Sequence, residues 1–196
     1  MKRLYILAGP NGAGKTTASF TILPDMFECK EFVNSDEIAR GLSPFNFNSV
    51  GLRAGRLMLQ RIHEHLANEE TFAIETTLAS YNYLKIIKQA QKKGYKVTLL
   101  FLFLDTPDLA VQRVVTRVKE GGHDIPEEVI RRRYEKGLRN FFNHYIHVVD
   151  DWILVNNSGI KFEVIAKGTN KSRSVKNKKC WNKLRRKYYE HKKTTN

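Results

Sequence analysis

The sequence predicts an α/β fold built on a parallel sheet, in a single domain of ordinary size. Short apolar runs that are typical of buried strands alternate along the 196 residues with segments whose apolar residues repeat at the helical period. This alternation favours parallel strands that are joined by helices. The chain is 41% hydrophobic and 11% aromatic, which indicates a folded protein rather than a disordered one.

The first half of the chain contains three predicted strands, at "RLYILAG", "EFVNS" and "TFAIETT". The first strand ends at Gly9, and a helix is predicted to begin near Gly14. Apolar residues recur at the helical period from 49 to 70. A further helix is predicted from Tyr81 to Lys93, where Gly94 ends it.

The second half continues the alternation and ends in a basic helix. A strand is predicted over 96–104, and its apolar run of eight residues is far too short to span a membrane. Helices are predicted from Pro107 to about Lys119 and from Pro126 onward, separated by the loop "EGGHD". "WILV" and "FEVIA" are the last strands, around the turn "NNSG". The final helix carries three apolar residues on one side: Trp181, Leu184 and Tyr188.

The net charge of +14 is concentrated near the C-terminus. From Lys167 to Asn196 there are twelve Lys or Arg residues and one acidic residue, whereas residues 1–166 carry 22 basic and 19 acidic residues. We therefore expect a folded body over 1–166 and a basic C-terminal segment over 167–196 that includes a terminal helix. Such a charge run is typical of a solvated face or arm. The alternative is contact with nucleic acid, an anionic surface or an acidic partner protein.

Composition also indicates where the protein works. The start "MKRLYILAG" has a basic tip, but its apolar part is too short for a signal peptide and no cleavage pattern follows. Cys29 and Cys180 lack metal-ligand spacing, which suits a reducing compartment. We expect a cytoplasmic protein without a membrane span.

A complete phosphate-binding motif follows the first predicted strand. "GPNGAGKT" matches G-x-x-x-x-G-K-[ST], with a strand before it and a helix after it. The glycines allow several N–H groups to point at a phosphate chain, and the helix start adds positive partial charge. Lys15 supplies a charge for the β- and γ-phosphates, and the Thr16 hydroxyl is placed to bind Mg²⁺. The predicted ATP-binding loop comprises Gly9, Pro10, Asn11, Gly12, Ala13, Gly14, Lys15, Thr16 and Thr17.

Missing motifs narrow the class of nucleotide-binding protein. No Asn-Lys-x-Asp motif of a GTPase is present, and there is no room for a transporter's signature segment or a motor's second lobe. A small-molecule or polynucleotide kinase remains, and such kinases need cations that close over the transferring phosphoryl group. Arg113 and Arg117 share a helix face beside a Gly-Gly loop that can hinge. With Arg131, Arg132 and Arg133, which cannot all face one site, they predict a lid over about 113–133.

Asp36 lies where a predicted strand meets a helix. Short polar residues cap free N–H groups at a helix start, and capping would by itself explain Ser35 or Asp36. A carboxylate at the C-terminal end of a parallel strand also lies on the ligand side of the sheet, where it can accept a hydroxyl proton. Asp105, after another apolar strand, is a rival candidate as a Mg²⁺ ligand. Arg53 and Arg56 are spaced to meet a diphosphate on the acceptor, but a solvated helix face explains them equally well.

Several segments together resemble the zeta toxins, which are P-loop kinases of bacteria. They include "AGPNGAGKTT", "VNSDEIARGLSPFN", "AGRLML", "FAIETTLAS", "GYKVTLLFLFLD", "RVKEGGHDIPEEVIRRRYEKGLRNF" and "VNNSG", and they cover nearly the whole chain. The resemblance implies a P-loop NTPase with a nucleotide-kinase-like, five-stranded parallel sheet. It implies transfer of the γ-phosphate of ATP, with Mg²⁺, to a hydroxyl of UDP-N-acetylglucosamine or another nucleotide-sugar. It also implies a small antitoxin protein as a partner.

The resemblance further implies roles for single residues. Asp36 matches the catalytic base, Glu75 matches a substrate-binding acid, and Arg117 with Arg132 or Arg133 matches the lid arginines. By a looser analogy with nucleotide kinases, Arg113 stacks on adenine. The expected catalytic residues are Asp36, Lys15, Arg117, Arg132 and Arg133. The expected substrate-binding residues are Glu75, Thr77 and Arg56.

The chain departs from the zeta toxins in being much shorter and in its basic C-terminal segment. Two other functions therefore stay open. One is a polynucleotide 5′-hydroxyl kinase whose basic segment contacts phosphates. The other is an NTP-dependent module that binds protein or nucleic acid.

Overall fold

The computed structural model describes residues 1–190, without the side chains at positions 47 and 48. Its five parallel strands are β1 (Arg3–Ala8), β2 (Glu31–Val33), β3 (Phe72–Thr76), β4 (Lys96–Phe103) and β5 (Asp151–Asn156). They lie side by side in the order β2-β3-β1-β4-β5. The predicted α/β fold with a five-stranded parallel core is confirmed.

Two antiparallel strands extend the sheet beyond β5. They are β6 (Glu163–Thr169), which pairs with β5, and β7 (Arg173–Val175), which pairs with β6. The expected division of the chain after residue 166 falls inside β6, because the ladder of backbone hydrogen bonds continues to Thr169. The start of the basic run is therefore part of the sheet.

Helices cover both faces of the sheet. They are α1 (Lys15–Phe27), α2 (Ser35–Leu42), α3 (Phe47–Ala67), α4 (Asn82–Lys92), α5 (Pro107–Lys119), α6 (Glu127–Asn143) and α7 (Lys178–Tyr188), with a 3₁₀ turn at Tyr145–His147. Three of them begin at side-chain caps, because Asn34, Thr106 and Asn177 accept hydrogen bonds from N–H groups in the first turn. No helix in residues 1–190 is long and apolar enough to cross a bilayer.

The apolar side of α7 packs onto the body of the protein. Trp181, Leu184 and Tyr188 are buried, as their helical spacing predicts. The Trp181 ring stacks on Trp152 of β5, with 5.6 Å between ring centroids, and it also contacts Phe142 of α6. The basic segment is thus anchored as far as the structure describes it, and residues 191–196 lie outside the described part.

The strand order determines where a ligand meets the sheet. The chain leaves β1 toward β2 and β3 on one side and returns to β4 on the other, which creates a crevice at the carboxyl end of β1. At this edge Ala8 of β1 lies beside Thr76 of β3 and Phe101 of β4. The phosphate loop and the Glu-Thr-Thr segment at 75–77 therefore meet at one place.

Candidate active site

The phosphate loop is preformed between β1 and α1. Gly9 has a φ of +146°, and a Cβ there would lie 2.0 Å from the carbonyl oxygen of Leu102. The position therefore requires glycine. Lys15 is buried, and its ammonium group donates a hydrogen bond to the Pro10 carbonyl across the loop at 3.1 Å. The predicted phosphate lysine is thus held inside the loop.

Asn157, in the loop after β5, supports the phosphate loop from the side. Its side-chain amide donates to the Ala13 carbonyl at 2.8 Å, and its backbone N–H donates to the Phe103 carbonyl. A Cβ on Gly14 would lie 2.8 Å from the same amide nitrogen. The sequence prediction assigned no role to Asn157, because its partner lies 144 positions away along the chain.

Glu75 is the next-to-last residue of β3, lies directly beside the phosphate loop and is 9% exposed. One carboxylate oxygen accepts hydrogen bonds from the Thr16 hydroxyl and the Asn34 amide, each at 2.8 Å. The other oxygen lies 3.5 Å from the Lys15 ammonium group. Because Mg²⁺ prefers oxygen ligands such as hydroxyl and carboxylate, the pair of Thr16 and Glu75 fits a magnesium ion.

Asp36 is the second residue of α2, and its carboxylate is not the helix cap. Asn34 takes that role, since its side-chain oxygen accepts the Asp36 N–H at 2.8 Å. The Asp36 side chain lines a cavity of about 450 Å³ and an adjoining groove of about 500 Å³ on the other side. The capping explanation therefore does not account for this carboxylate.

The 450 Å³ cavity brings together most of the expected catalytic and substrate-binding residues. On its acidic side are Asp36 and Glu75, and on its basic side are Arg132, Arg133 and Lys136 of α6. Its other lining residues are Asn11, Lys15, Asn34, Ser35, Thr76, Thr77, Ala79, Ser80 and Tyr83. The sequence prediction assigned no role to Lys136, although it follows Arg132 by four residues, the spacing that places two side chains on one face of a helix.

The three consecutive arginines divide between the cavity and the surface. Arg131 pairs with Asp108 and Glu127 at the surface, at 2.7 and 2.8 Å. Arg133 donates to the Asn11 side chain at 3.3 Å. Burial lowers the pKa of the Arg133 guanidinium, and the nearby Asp36 carboxylate partly offsets this effect.

Arg117 lies on the opposite side of Asp36, in the 500 Å³ groove with Thr16 and His123. Its guanidinium donates to the His123 carbonyl at 2.9 Å. A Cβ on Gly122 would lie 2.6 Å from the Arg117 side chain, so this glycine lets the arginine fold against the lid loop. Burial lowers the pKa of the His123 imidazole, and Asp36 opposes the shift.

Three other predicted residues lie outside the 450 Å³ cavity. Arg113 donates to the Ser158 carbonyl at 3.0 Å, beside the loop that holds Asn157. Arg56 is exposed on α3 and lines neither cavity nor groove. Asp105, the rival candidate for Mg²⁺, accepts a hydrogen bond from the Asn156 amide at 2.9 Å. The carboxylate that contacts the Thr16 hydroxyl is that of Glu75.

The strand order, the complete phosphate loop and the arginine-bearing helices at the same edge define a fold of the P-loop kinase class. The chain belongs to the Zeta toxin family, which matches residues 1–167. A Haemophilus influenzae protein, described only as uncharacterized, is 30% identical over 141 residues, which are 68% of this chain and 98% of the relative.

Two solved structures share the fold. The AvrRxo1-ORF1:-ORF2 complex with ATP aligns with a TM-score of 0.76 and 18% identity, over 94% of this chain and 63% of that one. The PezAT chromosomal toxin–antitoxin system of Streptococcus pneumoniae aligns with a TM-score of 0.64 and 16% identity, over 97% of this chain and 80% of that one. This chain thus spans less than two thirds of the AvrRxo1 chain, while β7 and α7 follow the last residue of the family match.

Proposed function

We propose that the protein is an ATP-dependent kinase that phosphorylates a hydroxyl of a small anionic metabolite, with a nucleotide-sugar as the leading acceptor. The observation that carries this proposal is the position of Asp36, between the phosphate loop and a cavity lined by Arg132, Arg133 and Lys136. Membership of the Zeta toxin family and the kinase fold support the use of ATP.

On the nucleotide side, the inward N–H groups of the phosphate loop and the Lys15 ammonium group bind the β- and γ-phosphates. The Thr16 hydroxyl and the Glu75 carboxylate would hold Mg²⁺, directly or through water. The metal offsets charge on the phosphate oxygens when it is bound. Arg113 lies beside the loop after β5 and contacts the adenine base, while Asn157 keeps the phosphate loop in place.

On the acceptor side, Asp36 takes the proton of the attacking hydroxyl. Arg132, Arg133 and Lys136 supply three positive charges opposite this carboxylate, and they favour an acceptor that carries phosphate groups. A cavity of about 450 Å³ suits a small molecule. Thr77 and Glu75 line the same cavity, which supports their expected contact with the acceptor.

The lid supplies the remaining cation. Arg117 contacts the His123 carbonyl in this structure and reaches the transferring phosphoryl group when the loop of Gly121 and Gly122 moves. This motion places a positive charge on the side of Asp36 away from Arg133. The developing charge of the transition state is then balanced from both sides.

A partner and a location are proposed as well. PezAT is a toxin–antitoxin system, and on this likeness we propose an antitoxin protein that restrains the kinase. The cytoplasm is the proposed location, because a kinase that uses ATP and a nucleotide-sugar works where both are present.

The test uses γ-labelled ATP with panels of nucleotide-sugars, amino sugars and oligonucleotides. We expect label on a nucleotide-sugar and a loss of about 10²-fold or more in rate for Asp36→Asn. Asp25→Asn is the matched control, because this carboxylate is exposed on α1, lines neither the cavity nor the groove, and should leave the rate unchanged. A folded Asp36→Asn variant that binds ATP and keeps the parent rate contradicts the mechanism. Label on the oligonucleotides alone shows that the acceptor is a polynucleotide.

A further inference from the structure

The outer side of α7 forms a cationic face that the kinase site does not use. Lys179, Lys183 and Arg186 are exposed and follow one another at i, i+4 and i+7, so they lie along one line on the helix. The helix rise spaces them by roughly 6 and 4.5 Å. We propose that this face binds the phosphate backbone of nucleic acid, without reading the base sequence.

The packing of α7 does not explain these charges. The contact with the body is made by the opposite side of the helix, through Trp181, Leu184 and Tyr188. Like charges four residues apart, as at Lys179 and Lys183, weaken a helix. The first turn contains no acidic residue, and Lys178 and Lys179 there oppose the helix dipole. A helix selected for stability alone would not carry this pattern.

Acidic partners within the protein neutralise little of this charge. Within residues 1–190, Lys187 is the one basic residue after residue 167 that forms a salt bridge, with Glu135 of α6 at 3.0 Å. Glu190 is itself engaged by Arg139. Basic residues of this segment without a carboxylate partner in the described part of the chain are Lys171, Arg173, Lys176, Lys178, Lys179, Lys183, Arg185 and Arg186.

Nucleic acid fits this face better than a membrane or a protein does. An interfacial helix buries an apolar face in lipid, but the large apolar residues of α7 already face the protein core. Protein interfaces are depleted in lysine and depend on buried aromatic or aliphatic anchors, which the outer side of α7 lacks. Lysine and arginine in a line are the usual partners of consecutive phosphates.

A depression at the end of the helix adds a second contact. It has a volume of about 370 Å³ and is lined by Asn182, Arg185, Arg186 and Tyr189. Arg185 lies over the Tyr189 ring at 5.0 Å. Polar, guanidinium and aromatic groups together suit a sugar or base next to the bound phosphates.

The face is separate from the proposed acceptor cavity. No α7 residue lines that cavity in the described part of the chain, and the cavity cations lie on α6. The outer side of α7 and the proposed acceptor cavity therefore use different residues, and substitutions on this exposed face can change nucleic-acid binding without changing phosphoryl transfer.

The test compares the full chain with two triple variants of equal charge change. Lys179→Gln/Lys183→Gln/Arg186→Gln alters the face, and Lys85→Gln/Lys88→Gln/Lys92→Gln alters exposed lysines of α4 as the control. Fluorescence anisotropy measures binding of single-stranded RNA and duplex DNA from about 50 to 200 mM salt. We expect the α7 variant alone to lose about tenfold or more in affinity, and the slope of log K against log salt to fall by about 2 for single-stranded RNA and about 3 for duplex DNA. Circular dichroism verifies that each variant is folded.

The outcomes separate the proposal from its rivals. Absence of binding to both nucleic acids at about 50 mM salt overturns it, and so does equal loss in the two triple variants. Binding to anionic vesicles or to a poly-glutamate peptide that exceeds binding to RNA and DNA also overturns it. Phosphoryl transfer by the α7 variant should equal that of the parent, and a lack of kinase activity in both leaves the anisotropy result intact.

Discussion

Replacing Glu75 with Gln tests whether this carboxylate serves the metal side of the site. The change keeps the shape of the side chain but removes the charge that faces the Lys15 ammonium group at 3.5 Å. Removing one partner of a buried ion pair costs about 3–5 kcal/mol. Lys15 keeps its hydrogen bond to Pro10 and lines an open cavity, so we expect a smaller loss of about 2 kcal/mol in the free energy of unfolding.

The same substitution should lower the affinity for Mg²⁺ during nucleotide binding by about 10- to 100-fold, because the carboxylate beside the Thr16 hydroxyl is lost. Calorimetry of a non-hydrolysable ATP analogue over a range of Mg²⁺ concentrations measures this effect, and urea unfolding measures the stability. Asp105→Asn is the matched control, since Asp105 contacts Asn156 instead. The assignment is refuted if Glu75→Gln keeps the parent affinity for Mg²⁺ while Asp105→Asn loses affinity for it.

Three further predictions follow from local contacts. Gly14→Ala should raise the KM for ATP and lower the Tm, because φ is +76° and the Cβ meets the Asn157 amide, whereas Gly51→Ala, with open space around it, should do neither. The pKa of His123 lies below its usual 6.5, so the unfolded chain binds a proton at a higher pH than the folded chain does, and stability should fall as the pH drops through about 6.5. In thermal unfolding curves His123→Asn should reduce this loss of stability. An equal loss in the variant contradicts the lowered pKa. Trp181→Ala should cost about 3–5 kcal/mol in urea unfolding, and an unchanged midpoint contradicts the stacking on Trp152.

Local sequence patterns predicted the phosphate loop, the strands β1 to β6 and most of the helices because each depends on neighbours in the chain, but they did not predict β7. Helical spacing is of this kind, and it also places Lys136 on the same face as Arg132, although the sequence analysis assigned Lys136 no role. For Asp36, spacing alone allows capping or catalysis, since a sequence does not say which of several polar residues makes the cap. The hydrogen bond from Asp36 N–H to the Asn34 side chain shows that Asn34 makes it.

Contacts between distant segments could not be predicted in this way. Glu75 meets Thr16 across 59 positions, and Asn157 meets Ala13 across 144. Both contacts depend on which strands are neighbours at the edge of the sheet. The expected end of the folded body at residue 166 rested on charge alone. The pairing of β5 with β6 continues to Thr169, because backbone hydrogen bonds do not depend on the charge of the side chains.

The C-terminal segment and the acceptor side of the site are linked through α6. One side of this helix presents Arg132, Arg133 and Lys136 to the cavity. The same helix also receives α7, where Glu135 binds Lys187 and the Tyr188 hydroxyl. Further along α6, Asn143 donates to the Tyr188 carbonyl at 2.7 Å and accepts the Glu190 N–H at 2.8 Å. Because the cavity cations lie within one turn of Glu135 and about two to three turns from Asn143, a segment outside the family match helps to fix the helix that lines the proposed acceptor cavity.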